Sequence, residues 1–135
     1  MKILTNGGAN NNMKLTVDII WACYSYFMQE AKIVKKLNAA FIFIAPEANE
    51  SIHRALVETK AVILHVVGVA DYAAAVTAAE KLVKEQGVGA IELCAGFGNE
   101  GTAAVAKAVK GKALVGVVRF DLHPGLDHKS GDDLF

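Results

Sequence analysis

The sequence predicts an α/β domain, a three-layer sandwich built on a four-stranded parallel sheet and flavodoxin-like in broad class. Three observations carry the prediction. Apolar runs suited to strands alternate with stretches of helical spacing from residue 39 onward. Those runs are apolar throughout rather than at every second residue, the pattern of strands buried on both faces of a parallel sheet. One of them, Ala90-Ile91-Glu92-Leu93-Cys94, runs straight into Gly96-Phe97-Gly98-Asn99-Glu100-Gly101 and then into an alanine-rich helical stretch. A half-barrel of four β/α units completed by a partner is the alternative arrangement.

Residues 1–38 read as an arm followed by an amphipathic helix, and 39–135 as the α/β domain. Asn6 to Asn12 has turn composition and no apolar period, which is a loop. Between Leu15 and Leu37, Ile20, Cys23, Phe27, Ala31 and Val34 recur at three- and four-residue steps, while Gln29, Lys32, Lys35 and Lys36 fall elsewhere. That is an amphipathic helix, blurred at its start by the β-branched Thr16, Val17, Ile19 and Ile20. Either this segment is a real added helix or the natural start is Met13 or Met28; the residues before Met28 are expected to be dispensable for folding.

From Ala39 the period changes. Ala39–Ala45, ended by Pro46, is the first strand, and Asn49 is placed to cap a short helix over Ser51–Thr59. Ala61–Val69, rich in Val and Ile, is the second strand. Asp71 is the expected N-cap of a helix over Tyr72–Gln86, with Gly87 its stop. Gly89–Cys94 is the third strand, Asn99–Lys110 the third helix with Gly111 as its stop, and Ala113–Phe120 the fourth strand. In a doubly wound order the first of these helices lies alone on one sheet face. The Leu15–Leu37 helix or a neighbouring subunit would complete that face. A homo-oligomer is expected, because an apolar face of this size is rarely left in water.

Composition narrows the partners. Lys plus Arg and Asp plus Glu both total 14, for a formal net charge of zero. A nucleic-acid binder shows a basic excess or stripe, so no nucleic-acid partner is expected. Lys32, Lys35 and Lys36 read as the solvated side of a helix. Cys23 and Cys94 are the only cysteines, too few for a secreted disulfide scaffold and in keeping with the cytoplasm. The best candidate for a span, Ile19 to Met28, is too short for a bilayer, so no membrane partner is expected.

The polar tail from Asp121 to Asp133 leaves the fourth strand at the same edge as the Gly-rich turn. Ligands of open parallel sheets bind along that edge. A strand that enters a helix through small residues also leaves backbone N–H groups free for an anion. Gly96, Gly98 and Asn99 are the candidate donors, with Arg119 and Asp121 as charged groups at the end of the next strand. Gly96, Gly98 and Gly101 match the dinucleotide fingerprint too. They sit in the third unit rather than the first, however, and Glu100 would repel a pyrophosphate. A compact phosphate or carboxylate fits better.

Three residues are candidates for catalysis. Cys94, at a strand end before a helix, can be a nucleophile, although a small buried residue explains it as well. Glu92 in an apolar strand needs a partner or a raised pKa. Arg119, at comparable depth in the next strand, is the expected partner, either structurally or with Glu92 as general base and Arg119 as anion clamp. His123, with Asp121 and His128, has the donor types of a metal site. His-x-x-x-x-His on an irregular tail is not a ligand spacing, though. His123 therefore reads as capping backbone groups in a turn, and no residue is assigned to a metal. His53 and His65 read as structural.

Four segments carry a resemblance: Ala40-Phe41-Ile42-Phe43-Ile44-Ala45-Pro46, Val66-Val67-Gly68-Val69, the stretch from Ala90 to Gly101, and Val115-Gly116-Val117-Val118-Arg119-Phe120-Asp121-Leu122-His123-Pro124-Gly125. In this order, from Ala39 to Phe135, the chain resembles a family of short bacterial proteins catalogued as a domain of unknown function. The closing Lys129-Ser130-Gly131-Asp132-Asp133-Leu134-Phe135 looks like that family's usual end. The resemblance implies no activity, and neither it nor the residues name a cofactor. Three functions follow from the residues. The leading one is binding of a compact anionic metabolite at the carboxyl edge of the sheet. The second is a small enzyme using Glu92, Cys94 and His123 for proton transfer or thiol chemistry. The third is a structural oligomer whose tail seals the subunit contact.

Overall fold

The computed structural model describes residues 35–135, which form a unit of their own. The helix expected over Leu15–Leu37 lies, up to residue 34, outside the described residues; Leu37 itself opens a strand. Four strands run parallel: β1 (Leu37–Ile44), β3 (Val62–Val69), β4 (Ala90–Leu93) and β5 (Leu114–Val117). A further strand, β2 (Arg54–Glu58), pairs antiparallel with β3, and the sheet order is β2-β3-β1-β4-β5. The domain is α/β on a mixed five-stranded sheet, so the expected four-stranded parallel sheet is corrected.

The correction arises at the short helix expected over Ser51–Thr59, which is instead β2. Asn49 forms a turn, its Oδ1 accepting from Ser51 N at 2.8 Å. Thr59 then closes a hairpin: its Oγ1 accepts from Ala61 N at 3.2 Å and Val62 N at 2.9 Å, while its N donates to Val62 O at 2.8 Å. Side chains of this kind offer the backbone a local partner in place of a helical one. Every residue of β2 is exposed.

Two of the expected helices form where the sequence places them. In α1 (Tyr72–Gln86) Asp71 accepts from Ala74 N at 2.7 Å, and Gly87 ends the helix at φ 69°. α2 spans Asn99–Ala108. Ala75, Ala78, Ala79 and Leu82 of α1, with Val105 of α2 and Val109 beyond it, close on Ala40, Ile42, Ile44, Val67, Val69, Ile91 and Leu93. Both helices share one face because the β3–β4 and β4–β5 crossovers step the same way across the sheet, and right-handed crossovers then fall on one side. The connection that steps the other way, β1 to β3, carries β2 instead of a helix. Among the described residues the opposite face therefore bears no helix and the layers are two; the Leu15–Leu37 helix expected to complete that face lies, up to residue 34, outside them. No helix among them is long and apolar enough to cross a membrane.

Candidate functional site

Beyond β5 the chain turns back through two 3-10 turns, Pro124–Leu126 and Gly131–Asp133. Ser130 and Asp133 close a capping box around the second turn. The box aims Asp132 at the start of α2. There Asp132 Oδ1 accepts from Glu100 N at 3.1 Å, from Gly101 N at 3.4 Å and from the Tyr72 hydroxyl at 3.0 Å. A helix start presents unpaired N–H groups and the positive end of the dipole. Gly98, the N-cap, has no side chain to meet them, so the Asp132 carboxylate, 32 residues beyond Glu100, does.

The Gly-x-Gly-x-x-Gly turn thus serves the chain's own tail. A Cβ on Gly98 would stand 2.2 Å from Asp132 Cγ, and one on Gly101 2.4 Å from the Tyr72 ring. A Cβ on Gly131 would stand 2.0 Å from Gly96 O. The Tyr72 ring stacks on Phe97 at 5.6 Å and lies 6.1 Å from Phe135, and its hydroxyl accepts from Gly98 N at 3.0 Å. Burial, aided by the neighbouring Asp132 carboxylate, pushes the Tyr72 hydroxyl up to about 12. Burial also works to raise Asp132, but the bonds from Glu100 N, the Tyr72 hydroxyl, Gly101 N and Asn99 N outweigh it and hold the carboxyl below its ordinary 3.8.

Beside this lock, at the carboxyl edge of β4 and β5, lies a pocket of about 160 Å³. Phe97, Val117 and Phe120 give it apolar walls, and Asn99, Thr102 and Ser130 give it polar ones. Arg119 and Asp121 stand at it together. Arg119 Nε and Nη2 lie 2.8 and 2.7 Å from Asp121 Oδ1, and Nη1 donates to Asn99 Oδ1 at 2.7 Å. The Thr102 hydroxyl donates to Gly98 O at 2.7 Å. A wider groove of about 570 Å³ runs past Glu80, Val83, Lys84 and Lys112, but it lacks the convergence of side-chain donors and acceptors that orients a ligand.

Of the residues singled out from the sequence, Gly98, Asn99, Arg119 and Asp121 meet at the pocket. Gly96 lies behind it, close against Ile44 and Gly131. Glu92, Cys94 and His123 do not line it. Glu92 is exposed on the helix-free face, in register with Phe41 and Gly116. Water there removes the need for a buried partner, and the Arg119 guanidinium is engaged past the end of β5 by Asp121 and Asn99 instead. Cys94 is half-buried, its Sγ accepting from Ile44 N at 3.4 Å and Gly96 N at 3.3 Å. His123 Nδ1 accepts from Gly125 N at 3.0 Å, and its ring lies 5.4 Å from that of Phe120. Tyr72, Thr102, Ser130 and Asp132 were not singled out in the sequence. Ser130-x-x-Asp133 is a legible capping box, whereas a cap supplied from a distant segment leaves no local pattern.

No curated protein matches this sequence. The model of a family of unknown function, DUF6506, matches residues 37–133, the span from the start of β1 to the second 3-10 turn. The chain belongs to the DUF6506 family.

Proposed function

We propose that the protein binds a compact oxyanion, the carboxylate or monophosphate of a small metabolite, in the pocket at the carboxyl edge of β4 and β5. The observation that carries this reading is the Arg119 fork, steadied by Asn99 and paired with an exposed carboxylate, Asp121. Arginine matches a planar oxyanion with two parallel bonds. An exposed ion pair contributes only about 0–1 kcal/mol, so a ligand anion that also engages Thr102 and Ser130 can take the place of Asp121. The volume of about 160 Å³ is below the roughly 300–1,000 Å³ of drug-sized sites, which favours a ligand of few heavy atoms. Asp132 already occupies the N–H groups of α2, and Glu100 adds a second negative charge in the same turn. Both disfavour a polyphosphate or dinucleotide. Phe97, Val117 and Phe120 favour a short apolar portion on the ligand.

Isothermal titration with inorganic phosphate, acetate and malonate tests the reading. At least one is expected to bind saturably, and Arg119→Ala is expected to weaken that binding at least tenfold with the fold unchanged. Absence of saturable binding into the millimolar range, or binding indifferent to Arg119→Ala, contradicts it.

A further inference from the structure

The two edges of the sheet are built differently. β2 ends in Arg54 and Glu58, and Glu58 is paired with Lys36; charges of this kind keep an edge strand from joining another chain. β5, Leu114-Val115-Gly116-Val117, carries no charge. Leu114 is 81% exposed, and Val117, Val118, Phe120 and Leu122 are 40 to 63% exposed. Leu114 and Val118 stand on the helix-free face, while Val117 and Phe120 wall the neighbouring pocket, so the β5 edge is apolar where the β2 edge ends in charges.

We propose that β5 pairs antiparallel with β5 of a second copy about a two-fold axis, joining two five-stranded sheets into one. The backbone fixes the register. Leu114 N donates to Gly89 O and Val118 N to Leu93 O, both at 3.0 Å, so the even-numbered residues bond to β4. The alternation turns the N–H and C=O groups of Val115 and Val117 outward. Two copies then exchange bonds between Val115 of one and Val117 of the other, and Gly116 meets its counterpart on the axis. On the helix-free face Leu114 comes opposite Val118 of the second copy, on either side of Gly116, where an added Cβ has nothing within 4 Å. The antiparallel direction also brings Lys110 and Lys112 of one copy toward Asp121 of the other. The contact needs no ligand in the neighbouring pocket.

Sedimentation of the full chain and two variants test the pairing. The wild-type protein is expected to sediment as a dimer at micromolar concentration. Leu114→Lys, at a site with little to lose in the monomer, is expected to give a folded monomer with an unchanged circular dichroism spectrum. Gly116→Cys is expected to cross-link under mild oxidation through the introduced thiols, because non-hydrogen-bonded antiparallel partners lie at about 4.5 Å between Cα atoms, within disulfide reach. Should Leu114→Lys fail to fold, the cross-link decides. A wild-type monomer, or a dimer in which the introduced thiols stay reduced, overturns the proposal.

Discussion

Asp132 accepts the Tyr72 hydroxyl at 3.0 Å, and through that bond the end of the chain is tied to the first residue of α1. The same oxygen receives Glu100 N and Gly101 N, so α1, α2 and the tail converge on one carboxylate. Ser130, two residues upstream, lines the pocket. The wall of the candidate site thus depends on the lock beside it.

Removing the carboxylate exposes the cost of that lock. Asp132→Ala is expected to lose about 1–2 kcal/mol of unfolding free energy, the range for a helix cap, because two N–H groups and a hydroxyl lose their acceptor. Urea unfolding of the variant against wild type checks it.

Two glycines should matter as much as the acid they accommodate. Gly98→Ala and Gly131→Ala place a methyl 2.2 Å from Asp132 Cγ and 2.0 Å from Gly96 O. Both are expected to speed amide exchange across residues 130–135 while leaving β1 and α1 protected. Gly98→Ala combined with Asp132→Ala should cost less than the sum of the two changes, since they break one contact.

Much of this architecture is legible in the sequence, for reasons that are local. Asp71 and Gly87 delimit α1 because caps are made by residues next to the helix they end. Gly98 marks the turn into α2 because a strand entering a helix closely needs small residues. β2 was not legible, because Arg54-Ala55-Leu56-Val57-Glu58 is short and its fate is set by the hairpin at Thr59. Glu92 reads as needing a partner only because the strand pattern implies burial on both faces, whereas it is exposed on a face that bears no helix among the described residues. The pocket edge was legible from Gly98, Asn99, Arg119 and Asp121. Its lock was not: Asp132 reaches α2 from 32 residues away, and sequence spacing carries no trace of that approach.

Acid should loosen the domain in two stages. Burial first, and the charge of Arg54 second, hold His65 below its ordinary 6.5. The unfolded chain therefore takes up that proton first, and the His65 contribution, complete above 6.5, is lost as pH falls through the folded value. The Asp132 value lies below 3.8, so its contribution is complete above 3.8 and lost as pH falls further. Stability measured against pH is expected to decline in both windows, and Asp132→Asn is expected to flatten the lower one.

Alkali should act through Tyr72. Its hydroxyl ionises at 10.0 in the ordinary case and at about 12 here. The neutral form is favoured by the fold, so that contribution is whole below 10.0 and lost as pH rises toward 12. Ultraviolet titration is expected to show one tyrosine ionising late, and Tyr72→Phe is expected to remove that step.

Arg119→Ala should leave stability almost untouched, within about 0.5 kcal/mol, because its pair with Asp121 is exposed. Thermal unfolding of the variant checks this, and it is the condition under which a binding defect can be read as loss of a contact.

The measurement that tests the account most directly is a two-dimensional amide NMR titration of the protein with inorganic phosphate, acetate and malonate in turn. The account predicts saturable shifts at Asn99, Thr102, Arg119, Asp121 and Ser130, absent in Arg119→Ala. Shifts confined to the small groove at Arg54 and Lys81, or no shifts at all, would contradict it.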